Sequence, residues 1–308
     1  MKSEENKSWI DELCRAERLP ESYSAAVSNF VEPLAGRVQT LHEYLGRPVV
    51  IGINGAQGSG KSTFALFLAN WLERELGLTV ASLSLDDLYL GKQARRDLAL
   101  QKHPLLRTRG VPGTHDVTLG SETLAALTDQ GPHRVVRLPV FDKAKDDLLD
   151  TPEWRSVDGP VDVVLFEGWC VGARPQPDEH LTRPVNVLEA EEDTDGVWRT
   201  YVNESLQHDY RELFEWADAL VMLRVPSFDK VGEWRELQEQ KLRERAVPGD
   251  VAGMNSAEVR HFVMHFERLT RHMLEQMPSQ ADTVVDIDES HRMVAMSHND
   301  WPFGRRTS

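Results

Sequence analysis

Residues 55–62 read Gly55-Ala56-Gln57-Gly58-Ser59-Gly60-Lys61-Ser62, a Walker A pattern set between an apolar β-branched run and a segment with helical spacing. That context separates a phosphate-binding loop from an ordinary glycine-rich turn. The preceding run, Val49-Val50-Ile51-Gly52-Ile53, has no polar alternation, which marks a strand covered on both faces of a parallel sheet. Helical patterning over residues 61–76 stops at Gly77, and residues 79–85 read as a second strand, completing a right-handed βαβ unit. The glycines let successive N–H groups point at phosphate oxygens, and the following helix adds its positive end. Gly55, Ala56, Gln57, Gly58, Ser59, Gly60, Lys61, Ser62 and Thr63 are therefore the candidate ATP-binding residues. Lys61 is expected to reach the β and γ phosphates, Ser62 to ligate Mg²⁺, and Thr63 to offer a hydroxyl near the α and β phosphates.

Later apolar runs at residues 134–140, 161–166, 219–225 and 283–287 look like further strands, separated by helical or irregular segments. This alternation predicts an α/β fold of the P-loop NTPase type: a doubly wound, mainly parallel sheet with helices on both faces. With 308 residues and 40% hydrophobic content, one large core suffices. Ala26, Phe30, Leu34, Val38, Leu41 and Leu45 recur near helical spacing until Gly46 and Pro48 stop the pattern, so residues 1–46 read as an N-terminal helical extension. Residues 47–297 form the expected P-loop domain, with 172–195 an excursion outside the sheet. Residues 298–308 lack periodicity and read as a tail, a candidate for disorder.

The net charge of −15 opposes a polyanionic partner, which argues against DNA, RNA or an anionic membrane. A small anionic substrate is compatible with it, because a few cations focused in a cleft reverse the local potential. Cys14 and Cys170 are the only cysteines, too few for a disulfide framework or a zinc site. With a charged start and no apolar run near the roughly 20 residues needed to span a bilayer, the expected location is cytoplasmic.

Open α/β sheets bind ligands at the carboxyl ends of their strands. Asp86 and Asp87 follow the second strand, where a carboxylate can accept the acceptor's proton. Glu167 ends the run Asp162-Val163-Val164-Leu165-Phe166, where an acidic side chain can hold Mg²⁺ directly or through water, the Walker B role. No guanine-reading Asn/Thr-Lys-x-Asp segment is present, nor the His-Arg-Asp and Asp-Phe-Gly segments of protein kinases.

Ser84-Leu85-Asp86-Asp87-Leu88-Tyr89 resembles the Asp-x-Phe-Tyr segment of the uridine kinase, phosphoribulokinase and pantothenate kinase superfamily, with Leu88 in place of Phe. The resemblance implies that Asp86 is the base and Asp87 a helper. Phe166-Glu167-Gly168-Trp169 is similar to the same superfamily's strand ending in Glu-Gly. Gly52-Ile53-Asn54 running into the Walker A loop, and more diagnostically Arg109-Gly110-Val111-Pro112-Gly113-Thr114-His115-Asp116, resemble the D-glycerate 3-kinase family. Pro139-Val140-Phe141-Asp142-Lys143, Asn186-Val187-Leu188-Glu189 and Gly196-Val197-Trp198-Arg199-Thr200-Tyr201-Val202-Asn203 also fit, extending the likeness over residues 46–292. It implies transfer of the ATP γ-phosphoryl group to the 3-hydroxyl of D-glycerate.

A carboxylate-bearing acceptor suits Arg, a charge-assisted and bidentate partner; Arg109 comes first, then Arg107 and Arg199. His115 is a candidate for a substrate hydroxyl, and Asp142 and Lys143 for the same pocket. Residues 230–245, within a lid of about 227–253, resemble the family's Trp-Arg segment, with Arg235 the expected phosphate contact and Lys241 and Arg243 further cations. The catalytic set is Lys61, Asp86, Glu167 and Arg235. A nucleoside, pantothenate or sugar phosphate is the alternative acceptor. A nucleotide-gated module without an acceptor is the alternative of another class.

Overall fold

The computed structural model describes residues 8–131, 134–245, 254–299 and Trp301, excluding the side chains of residues 238 and 241–245. Six strands make the central sheet: β1 (Val49–Gly55), β2 (Val80–Ser84), β3 (Val163–Gly168), β4 (Ala219–Arg224), β5 (Thr283–Ile287) and β6 (Met293–His298). Their order is β6-β5-β4-β1-β3-β2, parallel throughout except for β6, which runs antiparallel to β5. Val49, Ile51 and Ile53 of β1 enter one core cluster while Val50 enters the other, and Val163 and Leu165 of β3 part from Val164 and Phe166 in the same way. Burial on both faces explains why these strands read as unbroken apolar runs.

Around the sheet lie α1 (Ser8–Ala16), α2 (Glu32–Leu45), α3 (Lys61–Arg74), α4 (Val117–Thr128), α5 (Val197–Gln207), α6 (Phe228–Arg245) and α7 (Ser256–Gln276), with a further helix, Lys92–Gln101, between α3 and α4. Between α1 and α2 lie a short helix, Ser22–Ala26, and a π-helical turn, Val27–Val31. The i→i+5 turn adds a residue and rotates the apolar face. Val27 and Val31 are thereby buried beside Leu34, Val38 and Leu41, whereas Ala26 and Phe30, in phase with the same stripe by sequence spacing, are only partly covered. Among the described residues no helix is long and apolar enough to cross a membrane.

Two readings of strands need correction. Residues 134–140 do not join the central sheet. Arg134–Leu138 pairs antiparallel with Arg155–Gly159 in a separate arm, where Arg134, Val135 and Arg137 are exposed. Two arginines in five residues do not suit a strand covered on both faces. Within the arm, Phe141–Asp142 pairs with Asp147–Leu148, and the intervening turn carries Lys143. Conversely, β6 is not among the expected strands: it is a mostly exposed edge strand whose short run Met293-Val294-Ala295-Met296 is hemmed in by polar residues on both sides. Beyond it, Trp301 is buried and its Nε1 donates to Thr283 Oγ1 at 3.2 Å. Residues 246–253 of the expected lid and 302–308 of the expected tail lie outside the described residues.

Candidate active site

The carboxyl ends of β1, β2 and β3 converge because Glu167 is in register with Ile53 on one side and Ser84 on the other. The Walker A loop leaves β1 and enters α3 at Lys61. Gly58 and Gly60 adopt φ of +77° and +84°, backbone that other residues reach only with strain. No side chain caps α3, so its first N–H groups are left for an anion. Ser62 Oγ donates to Glu167 Oε1 at 3.1 Å, and Ser84 Oγ reaches the same oxygen at 3.0 Å. Lys61 Nζ lies 3.9 Å from Glu167 Oε2, a buried atom that accepts no hydrogen bond. One carboxylate oxygen short of partners beside a serine hydroxyl fits Mg²⁺, which takes one or two protein ligands and fills the rest with phosphate oxygens and water. Among the described residues no group of three or more His, Cys, Asp or Glu is gathered that would hold a metal alone.

Asp86 sits in a 3₁₀ turn, Leu85–Leu88, directly after β2. Tyr89 donates its hydroxyl to Asp86 Oδ1 at 2.7 Å, and Lys143 Nζ reaches Oδ2 at 2.7 Å from the arm. Burial opposes charge on Asp86, but the ammonium groups of Lys143 and Lys61 and these two hydrogen bonds outweigh it and hold the carboxyl well below its ordinary range. Burial pushes the Tyr89 phenol well above its own, so it remains a donor. Arg109 lies over the Phe141 ring, 5.5 Å from its centroid, and pairs with Asp146, which also takes Arg95 Nη2 at 2.8 Å. Gln57, Gly58, Lys61, Ser62 and Thr63 share one cleft of about 500 Å³ with Asp86, Tyr89, Arg109, Lys143 and Arg235.

On its far side the cleft is closed by α6 and α7. Trp234 packs on the Walker A loop, its Cβ only 3.1 Å from where a side chain at Gly58 would begin, and stacks on His291 with ring centroids 3.8 Å apart. Arg235 pairs with Glu239 and lies over Phe262, 5.6 Å from its centroid. The side chains of Lys241 and Arg243 lie outside the described residues.

Five residues expected at the substrate do not line this cleft. Asp87 turns to the arm: Oδ1 accepts the Phe141 N–H at 3.2 Å and Oδ2 lies 3.6 Å from Arg155. Burial pushes its carboxyl up, partly offset by that N–H and by Arg155. Arg107 is exposed, and its backbone carbonyl accepts from Arg95 Nη1 at 2.8 Å. His115 is buried behind Tyr89, stacked on it at 4.7 Å, with Nδ1 hydrogen-bonded to the Tyr210 hydroxyl. Burial lowers its pKa to about 3, so the ring is neutral at working pH and supports Tyr89 from behind. Arg199 is buried against Asp193, Nη1 to Oδ2 at 2.9 Å, and donates Nε to the Leu181 carbonyl at 2.7 Å, which ties the 172–195 excursion to α5. Asp142 caps its own turn, accepting from Ala144 N at 2.9 Å and Lys145 N at 3.1 Å.

The 109–116 segment is thus mainly a scaffold. Gly110, with φ of +132°, would drive a Cβ to 2.6 Å from the Phe266 ring; Thr114 Oγ1 accepts its N–H at 3.0 Å, and Trp169 Nε1 donates to its carbonyl at 2.7 Å. Only Arg109 reaches the cleft. Tyr89, Trp234, Phe262 and His291 line the cleft but were absent from the sequence-based candidates. Tyr89, three residues after Asp86 across one turn, carried a readable signal; Phe262 and His291 come from elements far along the chain and carried none.

No family profile matches the chain. A Schizosaccharomyces pombe protein named uncharacterized kinase mug58 is 36% identical over 234 residues, 72% of this chain and 79% of that one. The chloroplastic D-glycerate 3-kinase of Arabidopsis thaliana is 30% identical over 263 residues, 80% of this chain, and the match spans 54% of the plant protein's length. The solved structure of D-glycerate 3-kinase from Cryptococcus neoformans var. grubii superposes with a TM-score of 0.71 at 26% identity, covering 87% of this chain and 99% of that one. The chain therefore belongs to the D-glycerate 3-kinase family and is a phosphotransferase with an alcohol acceptor.

Proposed function

We propose that the chain transfers the γ-phosphoryl group of ATP to the 3-hydroxyl of D-glycerate, giving 3-phosphoglycerate and ADP. The observation that carries this reading is the meeting of Asp86, Lys143 and Arg109 with the Walker A residues in one cleft. A carboxylate that orients a hydroxyl and a guanidinium that pairs with a carboxylate are the two groups a small hydroxy acid requires. Two relatives named D-glycerate 3-kinase support the acceptor.

Asp86 orients the acceptor hydroxyl and takes its proton. Because cations hold Asp86 ionised, it is a weak base, which suits a loose phosphoryl transfer in which positioning outweighs proton removal. Arg109, placed over Phe141 and beside Asp146 at the edge of the cleft, exchanges its Asp146 partner for the acceptor carboxylate. Lys61 and Arg235 stabilise the charge on the transferring group, and α6, the lid helix, excludes water. Ser62 and Glu167 would hold Mg²⁺, which when bound would neutralise phosphate charge.

The test is Mg-ATP-dependent ADP release with D-glycerate, L-glycerate, uridine, pantothenate and ribulose 5-phosphate offered separately. D-glycerate alone should stimulate release. Stimulation only by another acceptor would refute the substrate and keep the kinase, and stimulation by none would favour a nucleotide-gated module.

A further inference from the structure

We infer that residues 19–30, outside the βαβ core, form one wall of the pocket for the nucleobase of ATP and so set nucleotide selectivity. The inference rests on nucleotide binding at the Walker A loop and not on the identity of the acceptor.

A second cavity, of about 650 Å³, adjoins the phosphate cleft and shares Gly60, Thr63 and His291 with it. Its volume falls in the ~300–1,000 Å³ range of small-molecule sites. The two spaces differ in chemistry. The cleft presents Lys61, Asp86, Arg109, Lys143 and Arg235, whereas the second cavity is bounded by Tyr23, Ala26, Phe30 and Phe64 with Ile287 and Met293 opposite, and Arg292 is its one Arg, Lys, Asp or Glu. A charged cleft opening beside an apolar, aromatic-lined one suits a ligand with a polyphosphate tail and a flat ring. A base joined through ribose to a phosphate chain anchored at residues 60–63 must lie close to that anchor, and this cavity starts there.

The backbone points the same way. The π turn at Val27–Val31 rotates Ala26 and Phe30 out of the buried stripe and leaves them on the cavity wall, with Asn29 exposed beside them. Such turns concentrate at functional sites. The wall is also fixed to the phosphate anchor. Tyr23 packs on Phe67 of α3 at 5.1 Å between centroids, Trp9 packs on Phe67 at 6.3 Å and on Trp71 at 6.1 Å, and Trp9 Nε1 donates to Glu75 Oε1 at 2.8 Å. The helix that opens with the Walker lysine therefore carries both the phosphate site and this wall.

The experiment compares the affinities of the full chain for ATP and for inorganic tripolyphosphate by calorimetry. Tripolyphosphate carries the charge of the tail without a base. Ala26→Trp fills the cavity from its wall, and Asn29→Trp does so from an exposed position where the fold is not at stake. Each is expected to raise the Kd of ATP tenfold or more and to leave that of tripolyphosphate within twofold. A folded Asn29→Trp protein that keeps the wild-type ratio of the two affinities would overturn the inference. A wild-type chain that binds neither ligand would overturn the nucleotide site itself and the inference with it, whereas ATP binding without turnover of D-glycerate would count against the acceptor alone.

Discussion

At the phosphate end of the cleft, nine consecutive residues, 55–63, supply the loop, the helix start, Lys61 and Ser62. The acceptor end is gathered from three segments: Asp86 and Tyr89 after β2, Arg109 in the loop before α4, and Lys143 on the arm. Backbone geometry fixes the first end, through the positive φ of Gly58 and Gly60 and the uncapped start of α3. Side-chain charge fixes the second, through Asp86 with Lys143 and Arg109 with Asp146. A site held by its backbone resists changes of pH and salt, and one held by partly exposed ion pairs does not.

The largest expected effect falls at the acceptor end. Asp86→Asn should lower kcat by about 10²- to 10⁴-fold while ATP affinity stays near wild type; an unchanged kcat would remove Asp86 from the mechanism. At the phosphate end, Lys61→Ala should cost about 10²- to 10³-fold in kcat, the scale of losing one group that stabilises the transferring charge, and single-turnover kinetics would separate this from slower product release. Arg109→Ala should raise the KM for D-glycerate by about 10- to 100-fold, with little change for ATP. Equal changes in both would contradict a carboxylate-specific role.

The pH profile sharpens the contrast further. Asp86 is held below the ordinary aspartate value of about 3.9, so activity that needs its carboxylate should persist as pH falls through that value and fail only below it. Lys143→Met removes a cation that opposes the effect of burial, so the acidic limb of kcat/KM should move to higher pH. A limb that stays in place would mean that Lys143 does not hold Asp86 ionised. The smallest kinetic effect belongs to Arg199→Met. Breaking its buried pair with Asp193 should cost about 3–5 kcal/mol of stability by denaturant unfolding, yet leave the KM for D-glycerate within twofold at temperatures where the protein is folded.

The same contrast explains what was legible in the sequence. A function carried by consecutive residues between a strand and a helix announces itself, and β1, the Walker A loop and the start of α3 were readable in full. Residues gathered from distant segments were readable only as types. Asp86 and Asp87 are neighbours of identical chemistry, yet one faces the cleft between Lys143 and Tyr89 while the other turns to Phe141 and Arg155, and burial raises the second where cations lower the first. Arg109 and Arg199 both stand in segments resembling the family, but only the three-dimensional partners, Phe141 and Asp146 for one and Asp193 and Leu181 for the other, separate a cleft residue from a buried tie. The phase of the N-terminal helix failed for a local reason: one π turn shifts a 3.6-residue stripe by a residue, and periodicity cannot show where such a turn is inserted.

The most direct test of the account is the position of the phosphate in the product formed from D-glycerate and Mg-ATP, read by ³¹P NMR alongside ADP release. Phosphate on the 3-hydroxyl, formed in equal amount with ADP by the wild type and lost in Asp86→Asn, is the predicted result. ADP release indifferent to D-glycerate, or phosphate on the 2-hydroxyl, would contradict it.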